Sequence, residues 1–182
     1  MGALEIYFGT IALIIALVGV ARGYSKELGS TMIIMVGIFL LSFVEQQFNP
    51  TVQRLVTQAL RGELAEMDPP FLLGTLYSTV FVAMVFAGYA GQVIVFDGRP
   101  LPPPQGTILS LLIGGLNGYL VAGTLWYFQH VYGYPLSRFG LVVPDLSPVA
   151  QALLRILPQA VVPSPTWWMI PIAVLLLMRV RG

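Results

Sequence analysis

Long apolar runs alternate with short polar or proline-rich connections along this chain. A helix needs about 20 apolar residues to cross the ~30 Å hydrocarbon layer of a bilayer. By this measure the pattern predicts membrane spans at residues 4–21, 28–44, 71–96 and 107–128, and a marginal fifth at 166–179 that Pro171 interrupts. We therefore predict an all-α polytopic membrane protein with four to five transmembrane helices, in one membrane domain covering residues 1–182.

Two further segments have helical patterns but are too short to span. Residues 51–66 place apolar side chains along one helical face and charges around the other, which is typical of an amphipathic helix at the membrane surface or packed on the bundle. Ser147 at an N-cap position, Pro148 at the first helical position and Pro158 at the end define a second helix, residues 147–157. We expect this second helix to lie in the interface or to re-enter the bundle.

Small residues recur at the spacing of the small-xxx-small motif, which lets helix backbones approach closely in lipid. The short connection Asp97–Pro104 contains four prolines and cannot continue a helix. The third and fourth spans should therefore be antiparallel neighbours, and we expect them to pack along their small-residue seams in preference to forming a homodimer interface. The seams are Ala12, Ala16, Gly19 and Gly23 in the first span, Ala83, Ala87 and Gly91 in the third, and Gly114, Gly118 and Ala122 in the fourth.

The composition agrees with lipid as the main solvent, since 57% of the residues are hydrophobic and 9% are charged, with a mean hydropathy of +0.82. A net charge of +1 provides no basic face for nucleic acid. No cysteine and a single histidine predict neither a metal site nor a resident cofactor. His130, just after the fourth span, is a weak candidate ligand for a pigment or haem, and a solvated interfacial histidine is the plainer alternative.

Few residues in the predicted spans could carry chemistry. Asn117, near the middle of the fourth span, needs hydrogen-bond partners that hydrocarbon does not offer, so it should face another helix. A ligand or permeation role for its amide is the alternative. The central parts of the spans carry no Asp, Glu, Lys or Arg, which argues against a proton-coupled pump. No catalytic motif accompanies the acids in the connections, and we predict that the protein is not an enzyme.

Arg22 and Lys26 form a cationic turn next to the first two spans. Cationic connections are enriched on the cytoplasmic side, and a turn so close to two spans should orient them. This places the N-terminus outside and, with five crossings, puts Arg179 and Arg181 inside.

The turn also carries a resemblance to a known family. Arg22-Gly23-Tyr24-Ser25-Lys26-Glu27 resembles the Arg-Gly-aromatic-x-basic-Glu hairpin of the colicin V production protein family, whose members are bacterial inner-membrane proteins. Leu112–Leu120 is similar to the glycine-rich start of that family's last conserved helix, although Asn117 stands where the family commonly has arginine. The helix at 147–157 resembles the family's post-membrane helix, so the resemblance covers residues 4–157.

The resemblance implies a multi-pass protein of the cell inner membrane that takes part in toxin production or export, or in envelope homeostasis. It implies a non-enzymatic scaffold whose partners are the lipid bilayer and either other membrane proteins or further copies of the chain. An accessory transmembrane subunit of a larger photosynthetic or respiratory complex is the first alternative, and an oligomeric channel is the second. The structural or interaction residues that we predict are Arg22, Gly23, Lys26, Gly114, Asn117 and Gly118.

Overall fold

The computed structural model describes residues 3–59, 68–90, 94–96, 101–141 and 146–181. The helices are α1 (Ala3–Arg22), α2 (Tyr24–Ala59), α3 (Pro69–Ala90), α4 (Gln105–Val131), α5 (Pro148–Leu154), α6 (Pro158–Val161) and α7 (Met169–Arg181), with short 3-10 helices at Pro135–Phe139 and Pro165–Trp168. The first four are long and apolar enough to cross a membrane. The prediction of an all-α polytopic membrane protein is confirmed.

The four long helices run alternately up and down, with α4 at the centre. Ala12 lies against Gly118 and Gly19 against Gly114, so α1 and α4 are antiparallel. α4 also contacts α2, α3 and α6, which makes it the helix around which the others assemble. The apolar core lies among α2, α3 and α4, where Ile38, Phe81 and Phe128 have no exposed surface.

The second span differs from its predicted bounds. The sequence predicts a span at 28–44 and a separate surface helix at 51–66, but α2 is one continuous helix of 36 residues with Pro50 in its interior. Pro50 has no N–H to donate to the carbonyl of Gln46, and the helix continues past this missing bond. Residues 60–66 of the predicted surface helix lie outside the described residues. Asp97–Pro100 of the proline-rich connection also lies outside them.

The small-residue seam of α4 packs against α1, and the expectation that it packs against α3 is wrong. Gly114 and Gly118 face Ala16 and Ala12 so closely that a Cβ added at Gly118 would lie 2.8 Å from the Cα of Ala12. On α3, in contrast, Ala83 is exposed. Aromatic side chains instead join α3 to α4, since Tyr77 stacks on Phe128 of α4 and on Tyr132, the residue that follows α4.

We expect Gly118→Val to disrupt the α1–α4 interface, because the added side chain meets the backbone of Ala12, which cannot move aside. Overpacking of this kind costs about 1–3 kcal/mol, and reversible unfolding in detergent micelles measures it. Gly115→Val is the matched control, since a Cβ at Gly115 has no neighbour within 4 Å. Equal loss of stability in both variants would contradict the proposed seam.

The segment after α4 returns to the middle of that helix. Ser147 caps α5 by accepting a hydrogen bond from the N–H of Ala150 at 3.1 Å. The Tyr119 hydroxyl donates to the carbonyl of Ile156 at 2.5 Å, and the Gln159 amide donates to the Thr124 hydroxyl at 3.1 Å.

These contacts choose between the two locations predicted for residues 147–157. Tyr119 is twelve residues before the end of α4, which corresponds to about 18 Å along the helix axis. Leu157 and Pro158 are buried against α4. The segment therefore re-enters the bundle, as the second of the two predicted locations requires. α7, with 13 residues or about 20 Å, is shorter than a full crossing needs.

The absence of native cysteine makes this depth directly measurable. We expect Ile156→Cys to resist a membrane-impermeant maleimide applied to both sides of sealed vesicles, because its exposed face meets lipid. Leu141→Cys, in the exposed connection beyond α4, should react from one side. Rapid labelling of the Ile156→Cys variant from either side would show that the segment lies in water.

Candidate functional site

The first two long helices meet at a turn of one residue. Gly23 has φ +85°, a left-handed conformation that is easily adopted only by glycine. Its N–H donates to the Gly19 carbonyl at 3.0 Å, and its own carbonyl accepts from the N–H of Glu27 at 3.1 Å. Gly23 therefore ends the hydrogen-bonded run of α1 and accepts the first backbone bond of α2, and Arg22 and Glu27 face each other across the turn.

Arg22 and Glu27 form an ion pair inside the protein. The Nη1 of Arg22 lies 2.8 Å from the Oε1 of Glu27, and the Glu27 side chain has no exposed surface whereas that of Arg22 is 18% exposed. The same Nη1 donates to the hydroxyl of Ser30 at 2.9 Å. Both protons on this nitrogen are therefore used to fix the first turns of α2 to the end of α1.

Asn117 connects this pair to α4. Its Nδ2 donates to Glu27 Oε2 at 2.8 Å and to the Glu27 backbone carbonyl at 3.1 Å. The Thr31 hydroxyl lies 2.7 Å from Asn117 Oδ1, so the amide oxygen is also satisfied. Asn117 is fully buried. The amide thus bonds to α2 with both of its ends, and its complete burial leaves no atom of it exposed to a ligand.

Tyr89 closes the network from α3. Its hydroxyl donates to Glu27 Oε2 at 3.0 Å, and the Arg22 guanidinium lies 4.5 Å above the centre of its ring. A cation over an aromatic face is attracted by the ring quadrupole, more strongly where water is excluded. Glu27, which belongs to α2, therefore receives hydrogen bonds from the three other long helices, α1, α3 and α4.

A pair of hydrogen bonds holds the segment after α3 on the same end of the bundle. The Ser25 hydroxyl donates to the carbonyl of Phe96, and the Phe96 N–H donates to the carbonyl of Ser25 at 3.4 Å. Residues 94–96 are therefore attached to the hairpin beside the Glu27 network.

This ion pair and its hydrogen bonds hold four helices together, and we call the arrangement of Glu27 with Arg22, Tyr89 and Asn117 the lock. Glu27 has both carboxylate oxygens bonded within the protein, and its negative charge is neutralised by Arg22. A buried charge is tolerated in hydrocarbon when it is paired and hydrogen-bonded in this way. Removal of one partner would leave the other charge uncompensated, which is far more costly than the pair itself.

The structure brings three of the predicted residues together and separates the others. Arg22, Gly23 and Asn117 belong to the Glu27 network. Gly114 and Gly118 lie on a neighbouring face of α4, in the seam with α1. Lys26 is exposed at the same end of the bundle, where it is available to lipid headgroups.

His130 lies at the opposite end of α4, and its side chain is exposed. Its Nδ1 is 2.9 Å from the Tyr134 hydroxyl. The direction of this hydrogen bond depends on the tautomer of the imidazole, and burial raises the pKa of the Tyr134 hydroxyl. The described residues contain no group of three or more His, Cys, Asp or Glu that could hold a metal ion.

Glu27 is the central residue that sequence reasoning missed. The hydrophobic pattern places it in a polar turn before the span of residues 28–44, whereas the structure includes it in the first turn of α2. One signal is present in the sequence: Glu27 is followed at i+3 and i+4 by Ser30 and Thr31, which place polar groups on the same helical face. Tyr89 carries no such signal, since interfacial tyrosines are common in membrane helices.

Comparisons of the chain with protein-family models, with curated proteins and with solved structures give no match in any of the three. The resemblance to the colicin V production family therefore stays a prediction based on the residues quoted above.

Replacement of Glu27 by Ala should destabilise the bundle strongly, because Arg22 and Asn117 lose their partner inside the protein. Breaking a buried pair costs about 3–5 kcal/mol, and unfolding in mixed micelles measures the loss. Lys26→Gln is the matched control one residue away, and its exposed side chain predicts a change within about 0.5 kcal/mol. A loss for Glu27→Ala no greater than that of the control would contradict the proposed lock.

Proposed function

We propose that this protein is a non-enzymatic scaffold of the cell inner membrane, related to colicin V production proteins and acting in toxin production or export or in envelope homeostasis. The observation that carries the proposal is the completeness of the Glu27 network. Its charged and amide groups are bonded to one another inside the bundle, so they hold helices together and leave no reactive group presented to a substrate.

The outward surface of the bundle supports the same proposal. α1 buries its small-residue face on α4 and exposes large apolar side chains elsewhere, with Leu13 60% and Leu17 58% exposed. A rigid bundle with an apolar exterior suits a protein that anchors other membrane components. The quoted hairpin motif, whose Arg22, Gly23 and Glu27 build the lock, links this architecture to the family that the sequence resembles.

A complementation experiment tests the proposal. We expect the chain, expressed in a bacterium that makes colicin V but lacks its own production protein, to restore toxin secretion or resistance of the envelope to detergent. Glu27→Ala should restore neither, while Lys26→Gln should behave as the unaltered chain. Failure of the unaltered protein to restore either property, when it is inserted and stable, would contradict this function.

An accessory subunit of a larger energy-transducing complex is the second candidate, and α7 favours it. Of the α7 side chains that the structure describes, Leu175 is buried, whereas Ile170, Val174 and Leu177 are each at least half exposed. α7 is apolar around its circumference but too short to cross the hydrocarbon layer by itself, and a neighbouring subunit would cover it. Purification in mild detergent distinguishes the candidates, because defined subunits in fixed stoichiometry would favour the complex. Ion conductance of the purified chain in liposomes would instead favour an oligomeric channel.

A further inference from the structure

Arg155 is a charged residue in an unusual place. It follows α5 directly as the C-cap, its backbone is helical, and its side chain is exposed. The ion pairs among the described residues are Arg22–Glu27 and Arg138–Asp68, and Arg155 belongs to neither. Within the part of the chain that the structure describes, its guanidinium therefore has no counter-ion.

The depth of Arg155 is set by its neighbours. The next residue, Ile156, accepts the hydrogen bond from Tyr119, and Pro158 packs so closely on Gly123 that an added Cβ would lie 3.0 Å from its Cγ. Tyr119 is about 18 Å from the end of α4 that lies nearest to α5. The backbone of Arg155 consequently lies beside the middle of a membrane-spanning helix, on the outer surface of the bundle.

A cation at this depth is unfavourable in hydrocarbon unless it is neutralised or reaches the interface. The direction of α5 gives the Arg155 side chain a route toward the membrane interface. In a helix each Cα–Cβ bond tilts toward the N-terminus, which for α5 is the end where Ser147 bonds to Glu5 in the first turn of α1.

The distance along this route is short. α5 has seven residues and is about 10 Å long. The exposed residues Gln151 and Ala152 precede Arg155 by one turn on the same side of the helix. A long arginine side chain can follow such a path with its apolar stem in lipid and its charged head near the interface.

We propose that Arg155 binds the phosphate of an anionic phospholipid in the leaflet that faces the start of α1. A phosphate matches the planar guanidinium with two parallel hydrogen bonds. Val149 and Ile156 belong to the same segment and are 51% and 52% exposed, so they supply an apolar surface for the acyl chains of the same lipid. The re-entrant segment α5–α6 is thus a lipid-binding element.

Lipid retention after purification tests the site. The protein is reconstituted with equal amounts of phosphatidylglycerol and phosphatidylcholine, extracted in mild detergent, and the retained lipid is counted by native mass spectrometry. We expect selective retention of phosphatidylglycerol, about fivefold weaker in Arg155→Gln, since this is the contribution of one cation near a membrane surface. Arg155→Lys should keep most of the retention because it keeps the charge.

Two parallel variants separate Arg155 from the other charges of the chain. Arg138→Gln is the matched control, because Asp68 already neutralises Arg138, and it should retain lipid as the unaltered chain does. Asp145→Asn alters an acid that precedes α5 and lies outside the described residues, and it should also leave retention unchanged. Addition of excess inorganic phosphate should not displace the bound lipid.

Several results would overturn the proposal. Equal phosphatidylglycerol retention by Arg155→Gln and the unaltered chain would remove Arg155 from the site, and so would absence of retained anionic lipid from both. Retention that rises in Asp145→Asn would identify that acid as the native counter-ion. Displacement by inorganic phosphate, or a membrane protein cross-linked at Arg155 in native membranes in place of lipid, would assign the charge to another ligand.

Discussion

The bundle depends on one buried carboxylate. Glu27 lies at the start of α2, where Arg22 of α1, Tyr89 of α3 and Asn117 of α4 all bond to it. In lipid, apolar side chains do little to choose among helix arrangements, because the solvent is as apolar as they are. A charged group that must find its partners inside the protein is far more selective, since each misplaced helix leaves a charge or an amide unpaired.

The small-residue seam and the Glu27 network act together. Gly114 and Gly118 let α1 approach α4 closely, which sets the position of Arg22 at the end of α1. Gly23 then returns the chain at once into α2, so that Glu27 enters the gap between these helices. Close packing sets the positions of the helices. The polar bonds select the arrangement in which every charge and amide of the Glu27 network has a partner.

At the opposite end of the bundle, hydrogen bonds between side chains hold α2 to its neighbours in a similar way. The hydroxyls of Tyr77 and Tyr132 both donate to Asn49 Oδ1, at 3.2 and 3.3 Å. Gln46 donates to the carbonyl of Pro163 at 2.8 Å and so holds the chain that leaves the re-entrant segment. Together with the Glu27 network, these bonds join α2 to its neighbours on both sides of the apolar core that contains Ile38 and Phe81.

Hydrophobic run length is enough to predict the four spans and the helical class, because a bilayer requires long apolar helices whatever their neighbours are. Local chemistry likewise predicts the cap at Ser147 and the turn at Gly23. The sequence pattern does not predict which helices pack together. It assigns the small-residue seam of α4 to α3 and places Glu27 in a polar connection. Which helices touch, whether a carboxylate near a span end is buried, and how deep residues 147–157 lie all depend on contacts between distant segments. Only the tertiary structure decides these, because small-residue seams and polar side chains bind any complementary partner that the fold brings within reach.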